Sequence, residues 1–97
     1  MIRREGDRML IAGPATLQNI TALLEEGLVQ VRSGADAVDL AEVSELDSSL
    51  LAAILAWIRE ARLQNHTLMV ANLPKGLQTL AELYGVVELL PTAETGK

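Results

Sequence analysis

Strand-length apolar segments alternate with segments of helical period along nearly the whole chain, and this constrains the fold more than any other feature. "IRREGDRMLIAG" reads as two short strands around Gly6-Asp7, with Met9 and Ile11 on one face of the second and Gly13-Pro14 ending it. Thr16 is placed to cap a helix in which Leu17, Ile20, Leu23, Leu24, Leu28 and Val31 recur at helical spacing. Gly27 weakens that helix by about 1 kcal/mol relative to Ala, and Ser33-Gly34 stops it. "DAVDLAEV" has strand length, Ser44 to Asp47 read as a turn, and a second helix is expected from Ser48 to Gln64, broken by Asn65-His66. "TLMVANL" is a further strand. Pro74 suits the first turn of a third helix, whose expected inward face is Leu77, Leu80, Ala81 and Tyr84 and which Gly85 closes. "VVELL" is expected as a last strand, and residues 92–97, "TAETGK", as a disordered tail. The order is ββαβαβαβ. It predicts an α/β fold with right-handed crossovers and a largely parallel central sheet carrying its helices, in a single domain over residues 1–91.

Composition narrows the function. Of the 97 residues 49% are hydrophobic, enough for one core, but only 2% are aromatic, so that core is built from Leu, Ile, Val and Ala. The net charge of −5 and the scattered basic residues argue against nucleic-acid binding, which needs a basic footprint and stacking platforms. The absence of Cys excludes disulfides, thiolate metal sites and Cys nucleophiles, and fits the cytoplasm. The start of the chain lacks the apolar run of a secretory signal. The longest apolar run, "LLAAILAWI", is far shorter than the roughly 20 residues that span a bilayer. A soluble intracellular domain without membrane insertion is expected.

Catalytic constellations are thin. His66 is the only histidine and falls in an expected turn, where it reads as a solvated loop residue. No phosphate-cradling glycine loop is present, and no cofactor is implied. Asp39, Glu42, Glu45 and Asp47 gather near the end of the third strand, where acids usually form a solvated rim, although a carboxylate cluster can also hold a cation. The stretch "ELDSSLLAAILAWI" stands out instead. Sites in open α/β sheets form where strands end and helices begin, and the free N–H groups of a helix start favour a hydroxyl, a carboxylate or a phosphate. Asp47, Ser48 and Ser49 therefore read as a helix cap, or as a cap that also meets a partner or accepts a phosphate. Leu51, Ile54, Leu55 and Ile58 form the stripe expected to face the sheet. Leu50 and Trp57 lie roughly 100–120° round from it. Those two side chains either fold into a wide core edge or form an apolar partner-binding patch beside Ser48.

"AVDLAEVSELDSSLLAAIL" resembles the signature of STAS domains: a strand ending in "DL", a short loop, then D-[ST]-x-x-L opening a helix. The likeness continues through "NHTLMVANLPKGLQTLAELYGVVELLP", so it covers roughly residues 8 to 91. The resemblance implies the STAS fold and a non-enzymatic interaction module. In the anti-sigma-factor antagonists of that family, the Ser after the Asp is phosphorylated by the cognate anti-sigma kinase, which abolishes binding; by position that residue is Ser48. Those antagonists read D-S-S-G-L, whereas Leu50 stands here at the Gly position, where it is expected to narrow access and add an apolar contact. The chain is more similar, through "TLAELYGVVELLP" and in stand-alone length, to the small cytoplasmic STAS subunit of the Mla-type phospholipid ABC transporter, which binds the transporter's ATPase subunit. This likeness implies that Asp47, Ser48, Ser49, Leu50 and Trp57 face an ATPase. The alternatives are the phospho-switched antagonist, partnered by an anti-sigma kinase, and a nucleotide-binding module using the same loop. The last would lack a basic residue beside Ser48 to meet a phosphate.

Overall fold

The computed structural model describes residues 1–92. Strands β1 (Ile2–Glu5), β2 (Arg8–Ala15), β3 (Ala37–Leu46) and β4 (Met69–Ala71) form one sheet in the order β1-β2-β3-β4. A tight turn with Gly6 at φ 62° makes β1 antiparallel to β2, while β2–β3 and β3–β4 are parallel. Helices α1 (Ile20–Arg32) and α2 (Ser48–Leu63) supply the two crossovers, and α3 (Lys75–Leu83) follows β4. The α/β reading and the largely parallel sheet hold.

The period of two along the strands sorts the faces. Met9 and Ile11 of β2, Val38 and Leu40 of β3, and Val70 of β4 point into a single core, to which all three helices contribute. Leu23 and Val31 come from α1, Ile54 and Ile58 from α2, and Leu77 and Ala81 from α3. The residues between them in register, Leu10, Asp39 and Ala71, occupy the opposite face. Asp39, only 6% exposed, is the one buried charged residue among those described. Its carboxylate accepts from Arg8 Nη1 at 2.6 Å, Asn72 Nδ2 at 2.9 Å and the Ala41 N–H at 2.9 Å. A buried carboxylate is tolerable only with such a full set of donors.

Several boundaries differ from expectation, each for a local reason. Gly13 does not end β2. At φ 86° it carries the strand through an irregularity, and pairing continues to Ala15↔Leu46. Between Leu10↔Asp39 and Ala15↔Leu46, β2 advances five residues (15 − 10) and β3 seven (46 − 39), so the extra length lies in β3. The expected turn from Ser44 to Asp47 is therefore strand as far as Leu46. Helix α1 starts late, because Asn19 accepts from the Thr16 N–H and donates to the Pro14 carbonyl, closing a turn ahead of Ile20. Thr16 thus does not cap the helix, and Leu17 is 75% exposed rather than inward. Tyr84 likewise lies outside the core at 57% exposure. His66 is half-buried rather than solvated, with an Nδ1 that has no hydrogen-bond partner among the described residues.

The last expected strand, "VVELL", is instead a 3-10 turn over Val87–Leu89. The chain straightens only after it, where the Val70 N–H donates to the Pro91 carbonyl and Thr92 bridges Val70 in parallel. The rest of the expected tail, residues 93–97, lies outside the described residues.

Candidate functional site: the start of helix α2

The parallel strands β2 and β3 end side by side, and each hands over to a helix. Asp47 joins the two exits. Its extended backbone, φ −145° and ψ −170°, makes it the N-cap of α2. Its Oδ1 accepts from the Ser49 N–H at 3.0 Å and from the Ser49 hydroxyl. Its Oδ2 accepts from the Leu17 N–H at 2.9 Å, across the loop that leaves β2. The Ser49 hydroxyl and then the Leu17 N–H, with a lesser contribution from the Ser49 N–H, outweigh desolvation and hold the Asp47 carboxyl below the usual carboxylate range.

Three adjacent residues thus have three different states. Asp47 has both oxygens engaged. Ser49 is half-buried, with its hydroxyl committed to Asp47. Ser48 is exposed, and its hydroxyl makes no hydrogen bond among the described residues. The open, polar hollow in front of this edge is about 660 Å³ and is lined by Thr16, Leu17, Gln18, Glu45, Leu46 and Asp47. Leu17 and Gln18 project from the opposing loop. They escape a reading by helical period, which assigns Leu17 to an amphipathic face; the signal for them is Asn19, a turn former three residues after Thr16.

The structure does not bring all the expected site residues together. Leu50 and Trp57 are both 0% exposed, so neither offers a surface to a partner. The reason is the neighbouring helix. Besides the sheet, α2 also packs on α1, and its buried face is wide enough to include Leu50, Ala53, Trp57 and Ala61. Trp57 fits because α1 has no side chain at Gly27; a Cβ there would lie 2.2 Å from the indole. The indole Nε1 donates to the Leu24 carbonyl at 3.0 Å, satisfying the one polar atom that burial would otherwise orphan. Leu50, turned into the core, does not narrow access to Ser48.

The four acids near the end of β3 do not form one cluster. Asp39 is bound to Arg8 on one sheet face, Glu42 pairs with Arg3, and Asp47 is committed as the cap, with Glu45 beside it on the same hollow. Among the described residues no group of three or more His, Asp or Glu is arranged to hold a metal ion. No helix among them is long and apolar enough to cross a membrane.

A four-stranded, largely parallel sheet carrying three helices on one face, with a capped helix start at the strand exits, is an architecture shared with solved STAS structures. The chain belongs to the STAS domain family: a family model described as "Mlab, STAS domain" matches residues 2–91. No curated protein matches. Similar solved structures include the anti-sigma factor antagonist SpoIIAA in its unphosphorylated form, at 13% identity and a TM-score of 0.71, covering 98% of this chain and 88% of that one. The Bacillus cell fate determinant SpoIIAA in the phosphorylated form is similar at 13% identity and a TM-score of 0.67, covering 98% and 91%. A further match is a Thermotoga maritima protein described as a putative anti-sigma factor antagonist, with 11% identity, a TM-score of 0.75, and coverage of 98% and 86%. At these identities the likeness concerns the fold.

Proposed function

We propose that this domain is a non-catalytic interaction module, the cytoplasmic STAS subunit that binds and supports the ATPase of a bacterial phospholipid-transport ABC complex. The observation that carries this reading is the Ser48 hydroxyl: exposed, unengaged among the described residues, and presented at the start of α2 by a cap that also fixes the neighbouring loop. The extent of the match to the "Mlab, STAS domain" model supports it. Ser48 is the direct contact. Asp47 and Ser49 hold the backbone on which it sits, and Leu17 and Gln18 form the opposing rim.

Co-purification from the source cell tests the reading. The tagged domain is expected to bring down an ATPase together with a permease. Ser48→Thr keeps the complex, whereas Ser48→Ala weakens it by on the order of tenfold, the loss of one interfacial hydrogen bond. Recovery of the domain without any ATPase overturns the proposal.

One observation favours a second reading, an anti-sigma-factor antagonist switched by phosphorylation of Ser48. A kinase needs a free hydroxyl, Ser48 has one among the described residues, and buried Leu50 leaves it accessible. Phosphate would add about −1.5 to −2 charge at the contact edge. Intact-mass measurement of the protein isolated from cells decides this point, since absence of a Ser48 phosphate removes the reading.

A further inference from the structure

The burial of Leu50 and Trp57 moves the apolar surface of α2 to its other flank. Leu55 lies at the margin of the buried stripe, only partly covered. It is shared by two adjoining hollows. One, of about 300 Å³, runs from Ser48 past Leu51 and Ala52 to Tyr84 and Val86. The other, of about 200 Å³, is bounded by Ile58, Arg59, Arg62 and Leu89. Together they make a groove along α2, walled on its far side by the end of α3 and the 3-10 turn. Of the eight large hydrophobic residues that are exposed among those described, four fall within residues 83–89, and Tyr84 and Leu89 of these line the groove.

Charge makes the groove specific. The chain carries thirteen acids against eight bases, yet no acid among the described residues lines either hollow. At one end stand Arg59 and Arg62, exposed and without an ion pair among the described residues, unlike Arg32, which pairs with Glu60. At the other end the N-terminus of α2 is already capped by the Asp47 carboxylate. An apolar floor with one basic end is complementary to an amphipathic helix bearing acidic side chains at one end. A second copy of this chain, itself at −5, is a poorer electrostatic match. The span from Ser48 to Arg62 along α2 is about 21 Å, which accommodates roughly four turns of such a helix.

We propose that the groove between α2, α3 and the 3-10 turn docks an amphipathic helix of a partner protein, whose apolar stripe packs on Leu55, Tyr84 and Leu89 and whose acidic side chains pair with Arg59 and Arg62. The proposal rests on the reading of this domain as a partner-binding module and names the element of the partner that it holds. Docking here brings the helix alongside Ser48, which borders the same groove, so both contacts belong to one interface.

The probe is an 18-residue helical peptide with leucines at i, i+3, i+4 and i+7 and two glutamates one turn beyond the stripe. A second version carries lysines at the glutamate positions. Titrated into the 15N-labelled domain, the glutamate peptide is expected to bind with a Kd below about 1 mM and to shift amides of Ala52, Leu55, Arg59, Tyr84 and Leu89. Arg59→Glu combined with Arg62→Glu lowers that affinity by at least about tenfold and transfers preference to the lysine peptide. Tyr84→Ser, at an exposed position that leaves folding intact, weakens both versions. No binding at millimolar peptide, shifts confined to other surfaces, or equal affinity for the two peptides overturns the proposal. So does a concentration-dependent dimer in sedimentation that Tyr84→Ser abolishes, which assigns the groove to a second copy. Flotation with anionic or zwitterionic vesicles, lost in the same variant, assigns it to lipid and overturns the proposal equally. Peptide binding without ATPase recovery keeps the groove and removes the transporter reading. ATPase recovery unaffected by Tyr84→Ser and the double Arg variant does the reverse.

Discussion

Gly27 is the residue on which the helical layer turns. A glycine inside a helix costs about 1 kcal/mol of intrinsic propensity, and here that cost is offset by the tryptophan it admits. Gly27→Ala places a methyl group into the indole of Trp57 and is expected to destabilise by at least about 1–3 kcal/mol, the usual range for overpacking. Trp57→Leu alone leaves a cavity and strips the Leu24 carbonyl of its donor, with a loss of about 3 kcal/mol. The two changes should be strongly non-additive, because the smaller side chain makes room for the added methyl. Urea denaturation of the four members of the cycle checks this, and additive losses would show that the two sites do not share one space. The sequence presents Gly27 only as a helix weakener and Trp57 only as marginal to a stripe. Neither property says that the two meet, because the pairing depends on how α1 lies against α2.

At the scale of elements, the candidate site is made by two loops locked together. Asp47→Ala removes the acceptor for both the Ser49 and Leu17 N–H groups. Hydrogen exchange is expected to speed up at both amides, far apart in sequence, with a lower melting temperature; Asp47→Asn should retain much of the cap. Acceleration at Ser49 alone would mean that the loops are independent. The cap itself was legible, since an Asp followed by two serines before an apolar run has few other structural uses. The link to Leu17 was not, because it depends on β3 running two residues further than β2 over their shared length, and paired irregularities leave no periodic trace. The 3-10 turn at Val87–Leu89 is hidden from the sequence for a related reason. Four apolar residues in five suit a strand, but Gly85, at φ 72°, closes α3 and Leu89 remains 47% exposed in the turn that follows. The fold class survived these errors because it follows from the alternation of element types, which tolerates shifts of several residues at each boundary.

The whole molecule has two unlike faces, and its acid stability should reside on the one without helices. Burial pushes the Asp39 carboxyl up, but the Asn72 amide, the Ala41 N–H and Arg8 outweigh it and hold the group below its ordinary value of 3.8. A carboxyl depressed in the folded state contributes stability that is fully present above the unfolded value and is lost as pH falls through the folded one. Asp47 acts in the same direction. Stability to urea should therefore be flat above about pH 5 and decline below about pH 4. Asp39→Asn is expected to lower the plateau and flatten the decline, and an unchanged acid limb in that variant would place the titrating groups elsewhere.

The buried indole also gives the protein an internal optical reporter. Trp57 is the only tryptophan and Tyr84 the only tyrosine, so emission excited at the red edge comes from a single site between α1 and α2. In the folded chain that emission should be blue and poorly quenched by iodide, and separation of the two helices should shift it to the red. Contact at Ser48 or along the outer groove leaves the indole untouched. A titration that alters amide signals but not this emission would show that the helical layer stays closed while the partner is held.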